Sequence, residues 1–304
     1  VAGPPRIGKG RTHKASNAEA ILKHCLRRLG LSASYRHDEL TGEQAIDLLD
    51  AVRDYSRAWL RHECEALIRH YGRVIDDQAI AAAGEGIRTG DAGTIHGGQC
   101  GIGGDHDGRG MGGEVRTLSS AMRHHVGYFF DRARSFIRES ILAGAMALSG
   151  PEGLTPDDLV EADRQHAVQV AYLDQFHRDV EVRGPAELSE PGLMPPPADA
   201  MTAPEMAARA EMYGSATWGA AHEINRRGVI RDGKAVRERR FHWREVDHPC
   251  GTCAAESGKG WVPVGTLLKI GDSECLGIGC DCYFVYKMPD GTNFITRRGW
   301  RRAA

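Results

Sequence analysis

The chain predicts a mainly α N-terminal region followed by a small α+β C-terminal domain built around a cysteine-rich knuckle. Three observations carry that fold class. Apolar residues recur at helical spacing through long stretches before residue 183. Six of the 13 prolines then fall between Arg183 and Pro204, including Pro195-Pro196-Pro197, the composition of an extended linker. Beyond it the pattern turns to short strands interleaved with five cysteines in 33 residues. The resulting organisation is a basic tail and amphipathic helices over 1–83, a Gly-rich loop over 84–117, long helices over 118–182, the linker over 183–204 and the Cys-rich domain over 205–304. A chain of 304 residues has room for two ordinary domains and can bury a core without disulfides.

Taken in order, residues 1–17 are rich in Gly, Pro, Lys and Arg and predict no packed element. A short helix is expected from Asn17 to Leu29, stopped by Gly30. A longer one opens at Thr41-Gly-Glu-Gln44, which has the spacing of a capping box. Its face is Ala45, Leu48, Leu49, Val52, Tyr55, Trp59, Cys64 and Leu67, and the pattern runs to about Ala83 with a break expected at Gly72. Residues 84–113 contain 13 glycines in 30 positions, too few apolar side chains for a core. They lack the preceding strand and the Gly-Lys-Ser/Thr that a phosphate-binding loop requires, and Asp105, His106 and Asp107 form only an isolated polar cluster. Periodicity returns at Leu118, with Met122, Val126, Phe129, Phe130, Ala133, Ile137, Ile141 and Ala145 on one face. Thr155-Pro156-Asp157-Asp158 then supplies a cap, an early proline and first-turn acids for a helix through Val180. After the linker, Thr202-Ala-Pro204-Glu205 starts a helix carrying Met206, Ala210, Tyr213, Thr217, Ala220 and Ile224, expected to close at Gly228. Its many Ala and Gly residues allow close backbone packing.

The cysteines read Cys250-Gly-Thr-Cys253, Cys275 and Cys280-Asp-Cys282. Two close pairs separated by a strand-rich spacer are what a tetrahedral thiolate metal site needs, because each pair chelates from one turn. The spacer holds a β-ribbon pattern, Gly260 to Val264 and Leu267 to Ile270. The expected ligands are Cys250, Cys253, Cys280 and Cys282, with zinc as the metal; Cys275, His242 or His248 could replace one of them. Pairing as disulfides is the competing chemistry.

The order of features around these cysteines resembles the C-terminal domain of the Mu F-like minor head proteins of tailed bacteriophages, the phage head morphogenesis family. The elements are Met206-Ala-Ala-Arg209-Ala-Glu211 on a helix, the aromatic strand Phe241-His-Trp-Arg-Glu-Val246, the C-x-x-C, a Pro-containing ribbon, the C-x-C and the strand Tyr283-Phe-Val-Tyr286. The likeness covers about residues 204–287; Ala210 stands where that family prefers a small polar residue, and Ile278-Gly279 where it has His-Pro. The resemblance implies a non-enzymatic minor capsid protein, attached in the virion head to the portal or the major capsid protein, acting in head assembly and in DNA packaging or delivery. It also implies assembly in the host cytoplasm.

The net charge of −2 carries no argument for nucleic acid, but its distribution does. Residues 226–244 hold eight Lys or Arg against two acids, so Arg226, Arg227, Arg231, Lys234, Arg237, Arg239 and Arg240 are candidate contacts for packaged DNA or an acidic partner. Basic runs also mark the first 30 residues and the last eight. No apolar stretch of 18 residues exists, so no membrane helix is expected, and the start lacks a signal-peptide pattern. The unpaired Cys25, Cys64 and Cys100 suit a reducing compartment. Two alternatives remain: a zinc-knuckle nucleic-acid-binding protein, and a thiol redox or deaminase-type enzyme using Cys250 and Cys253. A metalloprotease fails because His62 and His70 miss the spacing of a zincin helix; against the last, His222-Glu223 lacks the intervening residue of a deaminase motif, and the strand-then-helix context of thiol oxidoreductases is absent.

Overall fold

A computed structural model describes residues 16–31, 40–89 (side chains to residue 70), 120–150, 153–185, 188, 199–242, 250–271 and 280–297. The N-terminal tail, most of the Gly-rich and Pro-rich segments, Cys100, His248 and Cys275 lie outside the described residues. Helices α1 (Ser16–Arg28), α2 (Gly42–Thr89), α3 (Ser120–Ser149), α4 (Pro156–Arg183) and α5 (Ala203–Asp232) precede β1 (Arg237–His242), α6 (Gly251–Gly258), β2 (Val262–Pro263), β3 (Cys282–Lys287) and β4 (Asn293–Phe294). The mainly helical region with a small α+β C-terminal part is therefore the fold.

The caps form as the local sequence dictates. Thr41 Oγ1 accepts from Gln44 N at 3.2 Å while the Gln44 side chain accepts from Thr41 N at 2.9 Å. Reciprocal capping boxes likewise open α4 (Thr155 with Asp158) and α5 (Thr202 with Glu205), each with proline in the first turn. Two boundaries differ from expectation. Helix α2 runs without interruption through Gly72 to Thr89. Helix α5 passes Gly228 and ends at Gly233, which takes the left-handed conformation at φ 63° and donates its N–H to Ile230 O. Gly228 is there for packing: a Cβ at that position would lie 2.6 Å from Cζ of Arg297.

Helix α5 organises the molecule. It packs on α2, α3 and α4 on one side and reaches β3 on the other, and every residue from Thr217 to Arg226 is buried. Where it crosses α2 the two backbones nearly touch, since a Cβ on Gly214 would come within 2.6 Å of Arg57 Cα. The predicted apolar face of α3 is buried from Met122 to Ala145. Trp59 of α2 stacks on Phe136 of α3 at 3.8 Å, and Phe176 of α4 stacks on Tyr213 of α5 at 5.7 Å. The hydrophobic core is continuous from Ala18 to Phe294 and so extends across the 183–204 segment. Cys25 and Cys64 belong to it; burial pushes both thiols up to about 12, which makes them inert packing residues.

The sheet has strand order β2-β1-β3-β4, all antiparallel. The expected ribbon is shorter than its pattern: only Val262–Pro263 pairs, while Leu267 and Ile270 serve as buried loop residues. Ion pairs fasten the sheet to α5. Arg226 grips fully buried Glu238 of β1 through two hydrogen bonds of 2.9 and 2.6 Å, donates to Leu267 O, and lies over the Phe284 ring. Arg297, 2% exposed, reaches Asp158 at 2.7 Å and Asp232 at 3.2 Å, joining the end of the described chain to α4 and α5.

Two predictions follow from this packing. Gly214→Ala is expected to destabilise by about 1–3 kcal/mol or more, because backbone rather than a flexible side chain must yield; denaturant titration measures it, and an unchanged midpoint would refute the contact. The second concerns His222, which burial, reinforced by the charges of Arg53 and Arg240, drives from 6.5 down to about 3. Its neutral form belongs to the fold, so its contribution is whole above pH 6.5 and is lost as pH falls from there toward 3. Chemical stability is expected to decline over that window by up to about 1.4 kcal/mol per pH unit from this site, and His222→Leu should flatten the profile.

Candidate metal centre

Three elements converge on the cysteines. Cys250 is the N-cap of α6, where its sulfur accepts from Cys253 N at 3.4 Å, and Cys253 sits one turn into that helix. Cys280 precedes β3 and Cys282 begins it. The backbone of this second pair is held from outside: Arg53 of α2 donates to Cys280 O at 3.1 Å and to Asp281 at 2.7 Å, and Trp218 Nε1 donates to Cys282 O at 2.7 Å. Arg53 is itself paired with Asp50, so its charge is balanced before it reaches the site.

Cys253, Cys280 and Cys282 are all buried, and their sulfurs lie within 4.8 Å of one another. Cys253 Sγ and Cys280 Sγ are 3.9 Å apart, against about 3.8 Å for the sulfur–sulfur edge of a tetrahedral site with metal–sulfur bonds of about 2.3 Å. A disulfide would need about 2.05 Å, and no disulfide joins the described cysteines. The cluster could therefore hold a metal ion. Hydrogen bonding with Cys280, together with burial, pushes the Cys282 thiol far up, so the metal-free site keeps protons that an incoming cation must displace.

Of the four expected ligands, Cys253, Cys280 and Cys282 come together, while half-buried Cys250 stands outside that group. The proposed substitutes Cys275 and His248 lie outside the described residues, and His242 has its Nδ1 3.2 Å from Cys282 Sγ. The C-x-x-C does follow a strand and cap a helix, so that local context of a thiol oxidoreductase is present after all. What sets it apart is Cys253, which lies against Cys280 and Cys282 in a buried cluster.

The basic residues fare differently. Arg226 and Arg240 are buried, at 4% and 1% exposure, and have no surface to offer a phosphate. Arg227 is tied to Glu223 at 2.8 Å and Glu161 at 3.2 Å, and Arg231 to Asp157 and Asp158. Half-buried Arg239 lies over the Phe241 ring. Lys234 and Arg237 are exposed. Sequence spacing could not distinguish these roles, because the acids that engage Arg227 and Arg231 come partly from α4. Trp218 and Arg53 escaped it altogether, being brought to the cysteines from other elements without a motif. No helix among the described residues is long and apolar enough to cross a membrane.

No family model, curated protein or solved structure matches the chain.

The cluster yields a direct test. Purified chain is expected to carry one metal ion that Cys253→Ser and Cys280→Ser each abolish, by elemental mass spectrometry. Chelation should lower the thermal midpoint by about 2–4 °C for each kcal/mol of binding free energy withdrawn. Occupancy should fall as pH drops, by about tenfold in apparent affinity per pH unit for each proton displaced. Metal retained in both variants would exclude the site.

Proposed function

We propose that the chain is a non-enzymatic minor head protein of a tailed bacteriophage, related to the Mu F-like group, with zinc stapling its C-terminal part. The observation that carries this reading is the path of residues 204–287, the stretch of the resemblance. Helix α5, strand β1, the cysteine-bearing α6, β2 and β3 follow one another and fold against one another, with Cys253 meeting Cys280 and Cys282 at their centre. Of the expected aromatic strand Phe241–Val246 only Phe241 and His242 fall in β1, which begins earlier at Arg237, and residues 243–246 lie outside the described residues. A buried set rich in thiolates suits zinc, which needs no redox chemistry and no open coordination position to act as a staple.

In this reading the long helices present contact surface to a portal ring or capsid interior in few copies. Val160, Val168 and Tyr172 supply an exposed apolar component on α4, at 69%, 46% and 59%. Contact with packaged DNA would fall to the exposed Lys234 and Arg237 rather than to the buried arginines. The nucleic-acid-binding alternative loses support for the same reason, since Arg226 and Arg240 are committed inside the fold.

Co-expression with the portal and major capsid proteins of a candidate phage provides the test. Size separation and quantitative mass spectrometry are expected to find the chain in the high-mass head fraction at few copies per particle. A chain that elutes alone and binds DNA with a steep salt dependence would favour the nucleic-acid reading. Turnover of a disulfide or nucleobase substrate, lost in Cys250→Ser, would favour an enzyme.

A further inference from the structure

Three sulfurs define three corners of a tetrahedron, and the register of the sheet brings a nitrogen beside one of them. Strands β1 and β3 pair so that His242 stands directly opposite Cys282, and His242 Nδ1 lies 3.2 Å from Cys282 Sγ. Metal–sulfur bonds of about 2.3 Å and metal–nitrogen bonds of about 2.0–2.1 Å give a sulfur–nitrogen edge of about 3.5 Å, which the contact with Cys282 already approximates; His242 stands outside the group of sulfurs within 4.8 Å of one another, so its ring must swing toward Cys253 and Cys280 to close the shell. The other ring nitrogen, Nε2, is 3.3 Å from Ser257 Oγ on α6. A metal-bound histidine ordinarily donates its second N–H to an oxygen, which fixes the tautomer and aims the ring. Helix α6 thus supplies both a sulfur, from Cys253, and the hydroxyl that orients the imidazole.

Charge is an independent observation. Arg240 is 1% exposed, with Nη1 3.8 Å from Cys253 Sγ and Nη2 donating to Leu268 O. No carboxylate forms an ion pair with it among the described residues. Glu256 lies within electrostatic range, but its carboxylate is engaged by Lys259 at 2.5 Å and by Leu268 N at 3.0 Å. A guanidinium buried without a counter-charge is costly. Three thiolates and a neutral imidazole around a divalent cation sum to −1, which Arg240 brings to zero; four thiolates would leave a surplus negative charge in the same interior.

We infer that the centre is a Cys3His site formed by Cys253, Cys280, Cys282 and Nδ1 of His242. Ser257 orients the imidazole and Arg240 is the built-in counter-ion. Cys250 then serves as the cap of α6 and not as a ligand. This assignment rests on the metal reading above and specifies its coordination.

Cobalt(II) loaded into the full chain tests it without relying on any variant's folding. The sulfur-to-cobalt charge-transfer intensity is expected to correspond to three thiolates per ion. Histidine nitrogen NMR of the zinc-loaded chain should show one imidazole metallated at Nδ1 and protonated at Nε2. Cys250→Ser is expected to leave the cobalt spectrum and zinc affinity unchanged, His242→Ala to weaken zinc at least about 10–100-fold, and Ser257→Ala to weaken it by a smaller factor. A four-thiolate spectrum that falls to three in Cys250→Ser, with His242→Ala silent, would overturn the ligand assignment and leave the metal site standing. A chain that takes up neither cobalt nor zinc would overturn both.

Discussion

The complete burial of α5 from Thr217 to Arg226 is the constraint from which most of this structure follows. A helix covered all round over nearly three turns needs partners on every side. One side is met by α2, α3 and α4, the other by the sheet and its connecting loops. Small residues make this possible at the crossing with α2, where Gly214 lets the axes approach until backbone meets backbone. Because the same helix closes the bundle and floors the sheet, loosening one side exposes surface that the other depends on. The N-terminal helices and the cysteine region thus share one core.

Burying α5 also carries charge inside, and the fold handles each case by pairing across elements. Arg226 meets Glu238 from β1 in a two-bond fork, Arg297 meets Asp158 and Asp232, and Arg53 is balanced by Asp50 and Asp281. Removing one member of such a pair is far more damaging than its net contribution suggests, since the survivor stays buried. Of these pairs, the Arg226–Glu238 fork fastens the sheet directly to α5. Arg240 is the exception, buried beside sulfur in place of carboxylate. Its presence ties the cysteine cluster to the electrostatics of the whole interior.

The cysteine cluster occupies the place where the sheet is thinnest in supporting structure. Strand β2 contributes two residues, β4 another two, and α6 eight. Elements this short bury little apolar area each. A metal ion joining α6 to the start of β3 would supply cross-linking that those elements lack, and Trp218 and Arg53 already hold the backbone of the second cysteine pair in position for it. A structural centre of this kind is compatible with an assembly role, where rigidity at a contact surface reduces the ordering cost of docking.

What the sequence determined by itself was whatever short-range physics decides. The capping boxes at Thr41, Thr155 and Thr202 and the apolar faces of α2 and α3 depend on neighbours within a few turns, and they formed where local spacing placed them. That cysteines of the C-x-x-C and the C-x-C would meet was legible in the same way, because paired cysteines are scarce and their spacing is specific. Tertiary structure decided everything that needed two distant segments to meet. It made Gly228 a seat for Arg297 instead of a helix end, since the guanidinium arrives from 69 residues away in the chain. It turned Arg226 and Arg240 from apparent surface charges into buried ones, because burial depends on what packs above a residue and not on its neighbours in sequence. And it brought His242, through the pairing of β1 with β3, to the sulfur of Cys282, as strand register is set by the whole sheet and its packing on α5.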